Sequence, residues 1–320
     1  MANLKKTNIQ NYPRIENDDE FAGFFDESKV TPHKTIISDD ELRNIIKSAV
    51  HTANAKSSRA ILNIKDNISE EEINKIYIKE GKALFRYFLK YCGDPASTTF
   101  DCINQHYSTI AKEQFRNRTI QKERMNAGWR YQFIAKDTAI LSKRFHSISD
   151  LGASEADFNA IVLDISTGKH INIYTSVKNR TNTMGGQDWP KAIRAMENMA
   201  QNDKNRTGPY LCVFGIAMEK GKRNIRNEAK TGMPYSFNTE VWLSDFFWQF
   251  FSNISYEKII KAVLDVLIEE KTLSSLNIKV PEDLISSFGN ECKKYGVVDE
   301  KGIFNDSYKL VDLFCGKIKL

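Results

Sequence analysis

Asp157 and Lys178 stand at the two ends of a segment that reads as a β-hairpin, and together they could supply the parts for metal-assisted hydrolysis of a phosphodiester. The segment runs E-A-D-F-N-A-I-V-L-D-I-S-T-G-K-H-I-N-I-Y-T-S-V-K from Glu155 to Lys178. Phe158 to Ile165 is a short apolar run, Ser166-Thr167-Gly168 a polar turn, and Ile171 to Val177 alternates as a strand exposed on one face does. Cross-strand hydrogen bonding brings the ends of such a hairpin together, so a carboxylate and an ammonium about 20 residues apart in sequence become neighbours. A carboxylate gives a divalent cation a hard oxygen ligand, and a lysine can orient or deprotonate a water.

The elements that must position these residues follow from periodicity and punctuation. Residues 1–38 are polar and carry Pro13 and Pro32, and are expected to form an arm. A helical pattern begins at Asp39-Asp40-Glu41, with Leu42, Ile45, Ile46 and Val50 at three-to-four spacing. Ser69 and Glu72 form a capping box that opens a helix through Ile73, Ile76, Leu84, Tyr87 and Phe88, ended by Gly93-Asp94-Pro95. Two further helices are expected, over about 101–116 and 119–142. The pattern changes at Gly152. After the hairpin come a polar loop, Thr183 to Asp188, and a helix from Trp189 or Pro190 to about Gln201, with Pro190 suited to a first turn. Pro209 to Met218 is almost wholly apolar, as a central strand covered on both faces would be. Strand, strand, helix, strand describes an α/β protein with a mixed sheet and helices packed on it.

Further on, E-V-W-L-S-D-F-F-W-Q-F-F from Glu240 to Phe251 places Trp242, Phe246, Phe247, Phe250 and Phe251 at helical spacing, as core or a subunit interface. Amphipathic helices are expected at about 256–270 and 281–295, and a small β or winged element in the last 25 residues. The expected organisation is an arm (1–38), a helical region (39–118), a core (119–255) and a C-terminal extension (256–320).

Composition sets the outer limits. A chain of 320 residues, 41% hydrophobic and 27% charged, can bury a sizeable core. It has no run of about 18 apolar residues and no secretory-type N-terminus, so neither a membrane span nor export is expected. Five cysteines without C-x-x-C spacing read as reduced thiols in the cytoplasm, not as a disulfide frame or zinc site. The net charge of +5 permits a nucleic-acid partner. Its distribution says more: nine Lys/Arg against three acids lie between Thr109 and Arg144, and K-G-K-R-N-I-R follows at Lys220 to Arg226. Two basic clusters flanking a candidate metal site point to a polyanionic substrate.

Asp157 followed by the hairpin and then Ser176-Val177-Lys178 resembles the PD-(D/E)xK nuclease motif, and the chain resembles a type II restriction endonuclease. The resemblance is strongest from about Glu123 to Met218. It implies a mixed central sheet flanked by helices, preceded by a helical N-terminal part. It also implies Mg²⁺-dependent cleavage of double-stranded DNA leaving 5′-phosphates, with Asp157 on the metal and Lys178 on the attacking water. Ala156 replaces a frequent proline. Ser176 replaces the second acid, as in an S-x-K subgroup where a glutamate from the following helix fills the space. By that resemblance Glu197 is the substitute ligand, with Asp188 its rival and Glu155 a weaker one, and Glu123 the helical acid preceding the sheet. A homodimer acting on a short palindrome and a cognate DNA methyltransferase as functional partner are implied as well.

Side chains just past the lysine in that subgroup contact bases, which makes Arg180, Asn182, Gln187 and Asp188 the expected base-reading set. Arg124, Arg130, Lys220, Lys222, Arg223 and Arg226 are expected on phosphates, setting affinity without reading sequence. Several other readings compete. Ser176 could mark a dead site in a DNA-binding module, a repair nuclease would cut by DNA structure, and an assembly protein could use the aromatic helix around Trp242. Lys178 could simply pair with Asp157. A Ser176–Lys178 nucleophile pair lacks an oxyanion-hole motif.

Overall fold

The two strands of the hairpin form where their patterns place them, both inside the sheet, but Ile171 to Val177 is buried throughout and not exposed on one face as its alternation suggested, because helices cover both sides. The computed structural model describes residues 24–56, 68–91, 102–181, 188–269, 280–315 and 317. In chain order these form α1 (Asp39–Lys56), α2 (Glu70–Tyr91), α3 (Tyr107–Ser142), β1 (Ser147–Asp150), β2 (Phe158–Leu163), β3 (His170–Lys178), α4 (Trp189–Asn202), β4 (Tyr210–Ile216), β5 (Arg223–Asn224), β6 (Thr239–Trp242), α5 (Ser244–Ser252), α6 (Tyr256–Glu269), α7 (Glu282–Lys294) and α8 (Ser307–Phe314). No helix among the described residues is long and apolar enough to cross a membrane.

Among the described residues one mixed sheet runs β1-β2-β3-β4-β6-β5. β1, β2 and β3 are antiparallel; β4 is parallel to β3 and β6 to β4, with β5 antiparallel at the edge. The hairpin turn is pinned by Asp164, whose Oδ1 accepts from the Ser166 and Thr167 amides at 2.8 and 3.2 Å. A parallel step cannot be made by a tight turn, and α4 provides the crossover from β3 to β4. Every residue of β4 is buried, which is why its sequence is unbroken by polar side chains.

Both faces of the sheet are covered. On one, α5 sets Phe247, Phe250 and Phe251 against Phe158, Trp242 and Phe25, with the Trp242 and Phe250 rings 4.6 Å apart. Each such fully buried large side chain contributes roughly 1.5–3 kcal/mol. Gly215 is required here, since a Cβ would lie 2.2 Å from the Phe247 ring. On the other face, Trp189, Ile193, Met196 and Ala200 of α4 cover Tyr174, Cys212, Phe214 and Ile216.

The chain divides into two compact units, each built from separate stretches: residues 1–53 with 127–270, and residues 54–126 with 271–320. The first holds the sheet. The second packs Leu84, Phe85 and Phe88 of α2 against Leu284 and Phe288 of α7 and Leu310 of α8. Gly81 allows the approach of α7, because a Cβ there would meet the Leu284 carbonyl at 2.5 Å. The predicted capping box is present, with the Ser69 amide donating to Glu72 at 3.1 Å and the Glu72 amide to Ser69 at 3.3 Å.

Several expectations are corrected. The helices placed at 101–116 and 119–142 are one, α3, because no Gly or Pro interrupts the stretch between them. Glu240 to Phe251 is not one helix: Thr239–Trp242 pairs with β4 as β6, and the helix starts after Leu243. The C-terminal segment carries α8 and no winged element among the described residues. β1 is a short polar edge strand with no apolar alternation to announce it. Residues 24–38 are no loose arm: Phe25, Val30 and Ile37 are buried in the sheet unit's core, and buried Arg144 donates to the Thr31 and Phe250 carbonyls at 2.8 and 3.1 Å. The Gly93-Asp94-Pro95 stop lies outside the described residues.

Candidate active site

Asp157 lies one residue beyond the last rung of the β2–β3 ladder, Phe158 opposite Thr175. Its own amide extends the pairing by donating to the Thr175 carbonyl at 2.8 Å. Its side chain then turns across the strand: Oδ2 accepts from the Val177 amide at 2.7 Å. A charge-assisted bond of this kind fixes a carboxylate firmly beside the last residues of β3. The next residue is Lys178.

Alternation along β3 decides which side chains share a face. Ile171, Ile173 and Val177 enter the core on the α5 side, and Tyr174 the core under α4. Ser176 and Lys178 are in phase with Tyr174 and so face α4. There they line an open cleft of about 360 Å³ together with Ser154, Glu155, Ala192, Ala195 and Phe214. The small side chains Ala192 and Ala195, three apart on α4, leave the room that makes the cleft.

The cleft holds two charged side chains, Lys178 and Glu155. Lys178 is half-buried and makes neither an ion pair nor a hydrogen bond among the described residues, so the Asp157–Lys178 salt bridge is not formed. Glu155 is half-buried and has no such partner either. The Ser176 hydroxyl belongs to a residue only 1% exposed and has no hydrogen-bond partner among the described residues. Beyond Lys178 the backbone is held by the next strand's end, with the Ala217 amide on the Lys178 carbonyl at 2.8 Å and the Met218 amide on Asn179 at 3.0 Å. Asn179 carries a buried Oδ1 without a partner.

Glu197 sits elsewhere on α4. It is 1% exposed, in the stripe with Ile193 and Ala200 that packs on the sheet, and its Oε1 accepts from the Thr239 hydroxyl at 2.6 Å. Burial pushes the thiol of nearby Cys212 well up, and the Glu197 carboxylate adds to the effect. Cys212 is two residues before Phe214, the β4 residue that lines the cleft, and Glu197 serves the core beside Cys212 and Thr239. Asp188 is exposed at the N-cap position of α4 and makes no side-chain cap bond. Glu123 falls on α3 within the second unit, with its side chain outside the described residues.

The expected DNA contacts separate into two groups. Arg180, Asp188, Arg124, Lys220 and Lys222 are exposed, while Asn182 and Gln187 lie outside the described residues. Arg130 is 7% exposed. Arg223 is engaged by the fold: it donates to the Phe25 carbonyl at 2.6 Å and stacks on Phe246 at 4.3 Å, next to buried Glu240 at 3.7 Å. Arg226 lies over the Trp189 ring at 4.4 Å. Sequence reading missed Glu219, whose Oε2 accepts from the Thr181 amide and hydroxyl at 2.9 and 2.7 Å. Those bonds, helped by the charges of Arg180 and Arg226, hold its carboxyl below the usual range. Nothing in the residues around position 219 signals that role, because its partner, Thr181, lies 38 residues earlier, past the end of β3.

Among the described residues no three His, Cys, Asp or Glu side chains converge as a metal-binding group. A Mg²⁺ site needs fewer, since that ion keeps several waters and is held by one or two carboxylates plus substrate phosphate. Asp157, fixed by the Val177 amide, and Glu155, in the cleft with Ser176 and Lys178, are the carboxylates at this strand end that could hold it. Compared with protein-family models and with curated proteins, the chain matches none.

Proposed function

We propose that this chain is a Mg²⁺-dependent endodeoxyribonuclease of restriction type that hydrolyses double-stranded DNA to leave 5′-phosphates. The observation that carries the reading is the seating of Asp157 on the Val177 amide, next to a lysine whose ammonium is unpaired in a cleft. An unpaired lysine beside a fixed carboxylate suits a site that meets an anion and a water. Asp157 would hold the Mg²⁺, which when bound supplies a Lewis acid at the phosphoryl oxygen and lowers the pKa of water.

Lys178 positions the attacking water in the cleft. The water oxygen bonds to phosphorus as the bond from phosphorus to the 3′ oxygen breaks. The phosphate stays on the 5′ end and a proton ends on the 3′ hydroxyl. Exposed Lys220, Lys222 and Arg180 supply the positive field for the duplex. Double-strand cleavage of a palindrome calls for two such sites, hence a homodimer, and for a methyltransferase protecting the host's own sites.

Ser176 favours a second reading, a DNA-binding module of the same fold that has lost catalysis, because serine brings no charge where an acid is expected. Incubating the purified chain with unmethylated phage DNA, with Mg²⁺ or with EDTA, separates the two. Discrete Mg²⁺-dependent bands support the endonuclease. Uncut DNA in a retarded complex supports the binding module, and uncut DNA without a complex removes both.

A further inference from the structure

We infer that Glu155, and not Glu197, supplies the second metal-binding carboxylate, replacing the acid that Ser176 lacks. The inference rests on the nuclease reading of the same site. Ser176 leaves a defined deficit: a serine stands where an acid is expected, lining a cleft beside Lys178. Serine supplies an oxygen at that position and no negative charge.

Glu155 is the carboxylate that lines the same cleft. It is half-buried, two residues before Asp157, and engaged by no hydrogen bond or ion pair among the described residues. Glu197 is engaged already, because its Oε1 holds the Thr239 hydroxyl inside the core. Bringing Glu197 to the cleft would break that bond and turn out of the core one member of the stripe by which α4 packs on the sheet. Asp188 is exposed at the N-cap of α4 and does not line the cleft.

Electrostatics favours the same assignment. Two carboxylates, Asp157 and Glu155, against one ammonium, Lys178, leave an excess of negative charge that attracts a divalent cation. The acid lost from the strand is thereby recovered from the segment leading into β2, on the other side of Asp157 in sequence.

The test is calorimetric titration of Mn²⁺ into the full chain, as wild type, Glu155→Gln, Glu197→Gln and Asp157→Asn, with DNA cleavage measured in parallel and melting curves as a check on folding. Glu155→Gln is expected to weaken Mn²⁺ binding at least about tenfold and cleavage at least about a hundredfold. Glu197→Gln is expected to keep Mn²⁺ affinity within about twofold of wild type, whatever it does to the melting temperature. If Glu155→Gln binds Mn²⁺ like wild type while Asp157→Asn does not, Glu155 is no ligand and the nuclease reading stands without it. If Glu197→Gln loses Mn²⁺ while folded, the assignment is reversed. If Asp157→Asn also binds like wild type and no variant cuts DNA, the nuclease reading fails and takes this inference with it.

Discussion

The Asp157 carboxylate accepts a hydrogen bond from the Val177 amide at 2.7 Å, joining two residues about 20 positions apart across the mouth of a hairpin. This bond holds the acid beside the residue that precedes Lys178. On the proposed reading, Lys178→Ala lowers cleavage by roughly 10²–10⁴-fold, the range for a positioned proton-transfer group. Retention of DNA in a gel-shift assay should be little changed. Equal loss of binding and cleavage would place Lys178 in the DNA-holding surface instead.

Glu197→Ala should act on stability first. The Thr239 hydroxyl loses its partner inside the core, at a cost of about 1–3 kcal/mol, with a further loss from the space left behind. Urea denaturation of the variant, compared with cleavage normalised to folded protein, checks this; unchanged stability would mean the Glu197–Thr239 bond contributes nothing net.

Gly215→Ala inserts a methyl group where the Phe247 ring already stands at 2.2 Å. The ring is locked among Trp248, Phe251 and β4, so overpacking should cost about 1–3 kcal/mol. Thermal melting reads this directly, and a neutral result would show that α5 can shift away from β4.

The two kinds of basic residue should respond differently. Lys220→Ala and Lys222→Ala are expected to weaken binding of any duplex and to reduce the salt slope by about 1 each. Arg223→Ala should instead destabilise the fold, because its guanidinium holds the Phe25 carbonyl and faces buried Glu240. Binding titrations at several salt concentrations, set beside melting curves, distinguish the two effects.

His33 carries a pH dependence. Burial, reinforced by the Arg144 charge, depresses its imidazole from 6.5 to about 4. A histidine harder to protonate when folded makes the unfolded chain bind more protons below pH 6.5, so its contribution is present at neutral pH and lost as pH falls toward 4. Partial exposure reduces the effect to on the order of 1–2 kcal/mol. The fall in stability across that window should be shallower in His33→Gln; identical slopes would mean His33 does not titrate there.

Local pattern determined a good deal of this protein. The apolar run at Tyr210–Ile216 became the fully buried β4, the alternation at Ile171–Val177 became β3, and Ser69 with Glu72 capped α2. Hydrophobic periodicity and capping chemistry are short-range, so a window of a few residues contains their cause. The pairing of Asp157 with the end of β3 was legible for the same reason, since a hairpin is the most local of long contacts. What the tertiary structure alone decided is non-local. Leu243 separates a strand from a helix because β4 offers Thr239–Trp242 a parallel partner, a demand no spacing of aromatic residues reveals. Residues 24–38 look like an arm until Arg144, Arg223 and Glu240 take up their backbone. Which of several glutamates faces the cleft depends on the rotation of α4 against the sheet and on Thr239, 42 residues downstream of Glu197. Sequence names the carboxylates; packing assigns each one to core or cleft.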